Sequence, residues 1–467
     1  MHNRTAFGWK TIRAFQLKAN HRREKDVKTN RAFATVLILM LSSPAVFSSG
    51  KPQKEKTPRA KNNASYRFEK EPRAALSWDD RSARHARLYL RTSNLYALAV
   101  YTNANGNSQL GLAKSNDGGD SFEPPVMISE AAASVSSHGE NSPTLAISGM
   151  QSYALWEQSR EDGGTDLMFA RSIRSGRNFE KPIRVTDKTT PSSNAFSYLG
   201  IAPNGDIYAV WLDGRDRHAG GHGSHGSSGV YIAKSTDKGA TFGKNIRVAA
   251  NVCPCCRPTI AFGAKGEVYV AWRAVDEDIR DIVIATSLDQ AATFGQPVRV
   301  AFDNWKINGC PHTGPSMSVK GNRLYITWFS EGDSTNAGVR LAWSDDGGKT
   351  FRQPVIASNG VLDANHPMLS LSEDGRLMIV FQGRDSSEKD GWGAVRAYVC
   401  EVGNAGAVSH PMAVTGNKKP VSYPAIVAGT VGRVYVAWTE GVEKGANVFL
   451  SRGRREAIEK ADNSNPD

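Results

Sequence analysis

The sequence predicts an all-β protein built as a single β-propeller, and three repeated features carry this prediction. A short motif, Ser-x-Asp-x-Gly-x-Thr-Phe, occurs at 115–122, 235–242 and 344–351, with weaker copies at 172–179 and 287–294. An apolar run that ends in an aromatic residue recurs seven times, at intervals of 53 to 61 residues. Further strand-like segments flank these runs, giving four strands per unit. Four short strands at this period are typical of a propeller blade.

Seven blades fit the chain best, and six are the alternative. The aromatic residues that end the seven runs are Tyr101, Trp156, Trp211, Trp272, Trp328, Phe381 and Trp438. The last unit lacks a recognisable fourth strand, which residues 65–71 could supply, so that the two ends of the domain would close the ring. We therefore assign the propeller to residues 66–455.

The recurring motif has the chemistry of a hairpin turn. Its Asp can accept hydrogen bonds from backbone N–H groups, its Gly can adopt a positive φ, and its Phe can pack between neighbouring sheets. These are the residues of the Asp-box (BNR) repeat, and the chain resembles the sialidase-like superfamily of β-propellers. The resemblance implies a fold rather than a function, because the box occurs in sialidases, other glycosidases and non-enzymatic binders. Sialidases have six blades, whereas seven units are counted in this chain.

The N-terminal region is predicted to be an export signal. The net charge is +12, but residues 1–49 hold nine Lys and Arg against two acidic residues, so the remainder carries only about +5. An apolar run at 32–41 follows this basic region and is too short for a stable membrane span, although an uncleaved anchor is an alternative. We expect a periplasmic or secreted protein, with a polar linker at 50–65 and a disordered polar tail at 456–467.

The charge pattern also bears on partners. Beyond the N-terminal segment the sequence has no long basic stripe interleaved with aromatic residues, so nucleic-acid binding is not indicated. Nothing in the sequence indicates self-association, and we expect a monomer. The predicted partner is a glycan or another small molecule at the central opening of the propeller.

The topology of a propeller predicts where functional residues meet. If strands run up and down through each blade, the connections between blades lie on one face and the Asp boxes lie on the other. The starts of the innermost strands then surround the central opening on the first face. Residues there converge although they are distant in sequence, and loops on a rigid scaffold commonly carry function.

Four of the five cysteines lie in two such connections. Cys253, Cys255 and Cys256 precede one innermost strand, and Cys310 precedes the next. One interpretation is a disulfide between Cys310 and one of the other three, which suits an exported protein. The alternative is a Cu or Zn site formed by the four thiols and His312, because soft ligands suit these ions. Cys400 is expected to be a buried free thiol.

The superfamily resemblance suggests a second set of candidates. Sialidases hold the substrate carboxylate with three arginines and use a Tyr nucleophile activated by Glu. By this resemblance Tyr423 would be the catalytic Tyr, with Glu440 or Glu331 as its activating carboxylate, and no cofactor would be required. The expected substrate-binding residues are Arg257, Arg273, Arg384 and His366. The Arg-Ile-Pro motif that carries the first sialidase arginine is absent from the start of the propeller.

Two functions from different classes are therefore predicted. The first is an exported sialidase-like propeller that binds or acts on glycans, with glycoside hydrolysis of the sialidase type if it is an enzyme. The second is a non-catalytic exported propeller whose Cys/His face binds a metal ion or a partner protein.

Overall fold

The structure is a computed structural model that describes residues 65–456, except 77, 79–80, 188–191, 216–227, 333–336, 387–392, 404–405, 416–418 and 443–444. Contacts divide the chain into Met1–Pro58 and Arg59–Asp467, and every described residue belongs to the second unit. The predicted export signal, all of the linker but Ser65 and all of the tail but Glu456 lie outside the described residues. None of the described segments is a helix of the length and apolarity that a membrane crossing requires.

The described residues contain thirty β-strands and no α-helix. The first two strands, β1 (Tyr66–Phe68) and β2 (Arg73–Ala74), join the last blade. Blade 1 consists of β3 (Ser82–Arg91), β4 (Asn94–Thr102), β5 (Ser108–Ser115) and β6 (Val126–Met127). Blade 2 consists of β7 (Val135–Ser136), β8 (Thr144–Ser148), β9 (Gln151–Ser159), β10 (Thr165–Ser172) and β11 (Ile183–Arg184). Blade 3 consists of β12 (Asn194–Ile201), β13 (Ile207–Asp213), β14 (Ser228–Ser235) and β15 (Ile246–Val252).

The remaining blades repeat the same antiparallel order. Blade 4 consists of β16 (Thr259–Phe262), β17 (Val268–Arg273), β18 (Ile282–Ser287) and β19 (Val298–Arg299). Blade 5 consists of β20 (Ser316–Lys320), β21 (Arg323–Ser330), β22 (Gly338–Ser344) and β23 (Val355–Ile356). Blade 6 consists of β24 (Val361–Leu371), β25 (Leu377–Asp385), β26 (Arg396–Val402) and β27 (Met412–Ala413). Blade 7 consists of β28 (Ser422–Ala428), β29 (Arg433–Val442), β30 (Gly445–Arg455) and the N-terminal β1.

The prediction of a seven-bladed all-β propeller is confirmed, as is the closing role of the N-terminal strand. β1 pairs antiparallel with β30, with Tyr66 opposite Arg455 and Phe68 opposite Gly453. The Tyr66 hydroxyl also donates to Glu401 Oε2 at 2.7 Å, which ties the closing strand to blade 6. The ring is therefore closed by backbone hydrogen bonds between the two ends of the domain.

The hydrophobic core lies between the blades rather than within one central cluster. The described residues form seven buried apolar clusters, and each joins two neighbouring blades, including one that joins blade 7 to blade 1. The second strand of a blade is covered on both faces, which explains its continuous apolar run: all seven residues of β13 are buried. The indole rings that end four of these runs are fully buried (Trp156, Trp211, Trp328, Trp438).

The Asp boxes connect the third and fourth strands, as predicted. In blade 5 the Asp346 carboxylate accepts hydrogen bonds from Ser344 Oγ at 2.7 Å, Thr350 N at 2.9 Å and Thr350 Oγ1 at 2.6 Å. These bonds lower the pKa of Asp346 to about 2, although burial alone would raise it. The boxes at Asp117, Asp237 and Asp289 have the same three contacts. The box therefore functions as a turn lock.

A β-bulge near the start of the innermost strand is a second repeated device, and it positions the candidate site. Strand pairing shifts at the bulge in four blades, and each bulge holds one non-glycine residue at a φ of 51–55°: His85, Phe196, His366 and Tyr423. In three of these bulges a side chain of the preceding blade accepts the backbone N–H. Asn141 Oδ1 accepts from Phe196, Gln382 Oε1 from Tyr423, and Thr439 Oγ1 from His85.

Candidate functional site

In blade 2 the bulge is enlarged into a turn that reaches across the propeller. β7 and β8 both pair with β9, and the residues between them, 137–143, loop out of the sheet. Residues 138–141, which we call the crossing turn, are closed by reciprocal backbone hydrogen bonds between His138 and Asn141. Gly139 in this turn lies against the Tyr423 hydroxyl of blade 7. The crossing turn therefore reaches past blade 1 to contact blade 7.

Glu140, at the tip of the crossing turn, is held by two distant blades. Its Oε1 lies 2.9 Å from His366 Nδ1 in blade 6, and its Oε2 accepts from the Gly314 amide at 2.5 Å before blade 5. Burial by itself would raise the pKa of Glu140, but the His366 hydrogen bond, the Arg257 charge and the Gly314 amide together hold it below its usual range. Glu140 is therefore a buried, ionised carboxylate with both oxygens in use.

Tyr423 lies between two histidines on the same face. Its ring centroid is 4.8 Å from that of His366 and 5.4 Å from that of His85. Burial, together with the negative charge of Glu140, raises the pKa of Tyr423. Burial also lowers the pKa of His85 to about 3, helped by the charges of neighbouring arginines. Tyr423 and His85 are therefore neutral at pH 7.

Two arginines lie close enough to the Glu140 carboxylate for their charges to interact with it. Among the described residues, neither forms a hydrogen bond to it. Arg257 is 2% exposed, its Nε has no hydrogen-bond partner, and no hydrogen bond from its guanidinium is found among the described residues. Its guanidinium lies over the Tyr198 ring, 5.6 Å from the centroid. Arg87 donates to Ser142 Oγ at 2.5 Å, and its Nε is likewise unpartnered. Burial and then the nearby Arg257 charge lower the pKa of Arg87 to about 10.

The other two predicted substrate-binding arginines have different surroundings. Arg273 is 1% exposed, and its guanidinium donates to the carbonyls of Arg280 at 2.6 Å, Phe329 at 2.8 Å and Thr313 at 3.1 Å. The hydrogen bond to Thr313 holds the connection before blade 5 in place. Arg384 pairs with Asp363 at 3.0 Å near the surface. The structure thus brings Arg257 and His366 into the central group and places Arg273 and Arg384 in other contacts.

The predicted activating carboxylates do not contact Tyr423. Glu440 is 1% exposed and accepts from Trp438 Nε1 at 2.8 Å. Asp213 accepts in the same way from Trp211 in blade 3, which marks the contact as a recurring support of the buried indole. Glu331 is exposed at the end of β21. Among the described residues the Tyr423 hydroxyl has no hydrogen bond to a carboxylate.

The four clustered cysteines converge, and none of them is in a disulfide. All five cysteines of the chain are free, so the structure does not form the disulfide that we considered for Cys310. The Cys253 sulfur lies 3.5 Å from those of Cys255 and Cys256, and the latter two are 3.8 Å apart. Cys310 completes a group with Cys253 and Cys255, whose sulfurs all lie within 4.8 Å of one another. This group of ligand atoms does not include His312, which is exposed.

Sequence reasoning missed Glu140, Arg87 and His85. A signal for Glu140 was present, because it stands two residues before Ser142-Pro143, the start of the second innermost strand. His85 and Arg87 lie in the innermost strand of blade 1, where no proline follows the bulge. The proline that marks this position in other blades therefore could not indicate them.

Glu157 is a second acidic residue on this face. It is 7% exposed and accepts a hydrogen bond from Asn141 of the crossing turn. Burial raises its pKa to about 7, although the hydrogen bonds from Asn141 and Ser136 act in the opposite direction. Glu157 is therefore a carboxyl on this face whose protonation changes near neutral pH.

Comparisons with known proteins support the architecture. No protein-family model and no curated protein matches the chain. A protein of unknown function from Dyadobacter fermentans is 14% identical over 84% of this chain and 99% of its own, with a TM-score of 0.50. A Hadza microbial sialidase is 14% identical, with 77% and 73% of the chains covered and a TM-score of 0.45. The polysaccharide lyase Uly1 is 10% identical, with 79% and 90% covered and a TM-score of 0.49. Of these three likenesses the first alone reaches a TM-score of 0.50, and at 14% identity it bears on the fold and not on the function.

Proposed function

We propose that this protein is an exported propeller that binds an anionic glycan at the central group formed by Arg87, Arg257, His366 and Tyr423. The observation that carries the proposal is the buried Arg257 guanidinium, which has no hydrogen-bond partner among the described residues. A buried guanidinium whose N–H groups lack acceptors is costly, and an anionic ligand would supply those acceptors.

The balance of charge supports an anion rather than a neutral ligand. Arg257 and Arg87 are close enough for their charges to interact, and the Glu140 carboxylate acts on both. Both Glu140 oxygens are already bound by His366 and the Gly314 amide. A ligand carboxylate or sulfate could accept from both guanidiniums, with the geometry that makes Arg the common partner of such groups.

The neighbouring rings suit a sugar. Tyr423, His366 and Tyr198 supply aromatic surface next to the two arginines. Because burial and Glu140 raise the pKa of Tyr423, its hydroxyl stays neutral and does not repel an anionic ligand. We propose binding rather than sialidase-type hydrolysis, because among the described residues neither Glu331 nor Glu440 hydrogen-bonds the Tyr423 hydroxyl.

Titration calorimetry on the exported protein tests this proposal with a panel of uronic, sialic and sulfated oligosaccharides and their neutral counterparts of equal length. At least one acidic ligand should bind, and its neutral counterpart should not. Replacement of Arg257 by Gln should weaken binding at least about tenfold, which corresponds to about 1.4 kcal/mol.

Arg384→Gln is the matched control, because it removes an equal charge from an arginine that pairs with Asp363. It should leave the affinity unchanged. Equal binding of acidic and neutral sugars, or equal loss in the two variants, would overturn the proposal. Chromogenic glycosides test whether the protein catalyses hydrolysis. The Tyr423→Phe variant shows whether any such turnover depends on the Tyr423 hydroxyl.

A further inference from the structure

The cysteine connections form a second site next to the central group, and it has a different chemistry. Cys253, Cys255 and Cys256 follow β15 and precede β16, while Cys310 precedes β20. The first three are at most 6% exposed and belong to the apolar cluster between blades 3 and 4. Cys310 is partly exposed and packs against that cluster.

The sulfur positions match a shared ion. Two thiolates bound to one ion at about 2.3 Å lie about 3.8 Å apart in a tetrahedral arrangement and slightly farther apart in a trigonal one. The three sulfur–sulfur distances among Cys253, Cys255 and Cys256 are 3.5, 3.5 and 3.8 Å. Cys310 lies within 4.8 Å of two of these sulfurs, and a small shift would bring it into range.

The two connections are already fixed to each other without a metal or a disulfide. Arg273 donates to the Thr313 carbonyl of one connection, and its own carbonyl accepts from the Cys253 amide of the other at 3.1 Å. At Gly314 a Cβ atom would lie only 2.1 Å from the Arg257 carbonyl, so the two backbones are in direct contact. The thiols are therefore preorganised, which reduces the cost of binding an ion.

We propose that Cys253, Cys255, Cys256 and Cys310 form a thiolate site for Cu(I). The ligand atoms are all sulfur, the softest that proteins offer, and such ligands select Cu(I) and Zn(II) over harder ions. Backbone contacts and Arg273 already join the two connections, and the partly exposed Cys310 gives an exchangeable Cu(I) ion a route in and out. Each thiol that binds transfers its proton to solvent, and the positive charge of the buried Arg273 acts on Cys256 and offsets part of the resulting negative charge.

Anaerobic competition titration tests this inference on the full-length protein, exported, reduced and stripped of metal. Cu(I) is supplied as a complex with a chromophoric chelator, and Zn(II) is titrated in parallel. We expect one equivalent of Cu(I) to be taken from the chelator, and X-ray absorption to show a first shell of sulfur alone. No uptake of Cu(I), or uptake of Zn(II) alone, would overturn the proposal.

Variants identify the ligands. Cys255→Ser should abolish uptake, and Cys310→Ser, at the most exposed of the four positions, should weaken it at least about tenfold. Cys400→Ser is the control, because Cys400 is a buried thiol in blade 6 that donates to the Ala357 carbonyl at 3.3 Å. An equal effect in all three variants would contradict the assignment.

Alkylation of the wild-type protein gives a test that does not depend on the folding of any variant. Cu(I) should protect cysteines from a maleimide reagent at 253, 255, 256 and 310, as read by peptide mass spectrometry. Partly exposed Cys310 is the most informative position, because the reagent reaches it more easily than the three buried thiols. Reaction of Cys310 at the same rate with and without Cu(I) would contradict the site. The result is independent of anionic-glycan binding, which is measured at Arg257.

Discussion

At the scale of single residues, the central face contains two buried groups whose titrations act on stability in opposite directions. Burial raises the pKa of Glu157 to about 7 from 4.5, so its contribution to stability is complete below pH 4.5 and is lost as the pH rises toward 7. Burial lowers the pKa of His85 to about 3 from 6.5, so its contribution is complete above pH 6.5 and is lost as the pH falls toward 3.

The Glu157→Gln variant isolates the contribution of the Glu157 titration to stability from that of His85. Glutamine keeps an oxygen for the Asn141 hydrogen bond but cannot ionise. We expect the variant to exceed the wild type in unfolding free energy at pH 8, by up to about 3 kcal/mol, and to match it near pH 4.5. Urea unfolding at both pH values measures the difference.

The control for this experiment is Glu130→Gln, at an exposed position of the connection between blades 1 and 2. It should follow the wild type at both pH values. If Glu157→Gln also changes stability equally at pH 4.5 and pH 8, the Glu157 carboxyl does not titrate as described.

Arg273 is a buried cation with a structural role. Its guanidinium donates to three backbone carbonyls and lies 5.1 Å from the Trp305 ring centroid. Arg273→Met keeps much of the packing but leaves these carbonyls without their donor, so we expect a loss of about 3 kcal/mol in unfolding free energy. Arg384→Gln, near the surface, should cost less than about 1 kcal/mol. Similar losses in the two variants, measured by chemical denaturation, would refute this assignment.

At the scale of elements, the Asp box links its own hairpin to the neighbouring blade. Gly239 in the blade 3 box has a φ of +80°, and a Cβ atom there would lie 2.7 Å from the Phe169 ring of blade 2. Phe242 of the same box packs edge-on against Phe169, with centroids 4.9 Å apart. The turn motif that is visible in the sequence is therefore also a contact between blades.

Two glycine substitutions distinguish the cost of backbone strain from the cost of disturbing the contact between blades. Gly205→Ala, at a φ of +91° with no atom within 4 Å of the added Cβ, should cost about 1–2 kcal/mol from backbone strain alone. Gly239→Ala carries the same strain and the overlap with Phe169, so it should cost about 1–3 kcal/mol more. Thermal and urea unfolding of both variants test this ordering, and equal costs would show that the box does not pack tightly on blade 2.

At the scale of the whole molecule, the ring depends on a strand from the far end of the domain. β1 covers the outer edge of β30, and Phe68 leaves no room for a side chain at Gly453. Tyr66 is 6% exposed and contacts blade 6 through Glu401. An uncovered β30 would present unpaired backbone groups along an edge strand.

Two N-terminal deletions test the closing strand. Removal of residues 1–70 should lower the unfolding free energy by at least about 2 kcal/mol, the scale of burying one large side chain, and should promote self-association through β30. Removal of residues 1–63 keeps β1 and should leave both properties unchanged. Light scattering after size-exclusion chromatography, with thermal unfolding, reads both outcomes. A monomeric and equally stable 71–467 protein would show that β1 is dispensable.

Local chemistry was sufficient to predict the architecture. The Asp box, the aromatic residue that ends each second strand and the closing strand at 65–71 all involve neighbouring residues or a fixed repeat, which a single sequence displays. The same repeat placed Cys253, Cys255, Cys256 and Cys310 in consecutive connections, so their convergence was also predictable. The sequence by itself thus determined the fold, the face that carries the candidate site and the grouping of the thiols.

Only the tertiary structure decided how the central face is used. Glu140 meets His366 across 226 positions and the Gly314 amide across 174, because an enlarged bulge in blade 2 reaches over the ring. Arg273 and Arg257 were equivalent candidates in the sequence, yet one binds three carbonyls and the other has no hydrogen bond among the described residues. The partners of a buried charge depend on the packing of distant segments, and one sequence does not display that packing.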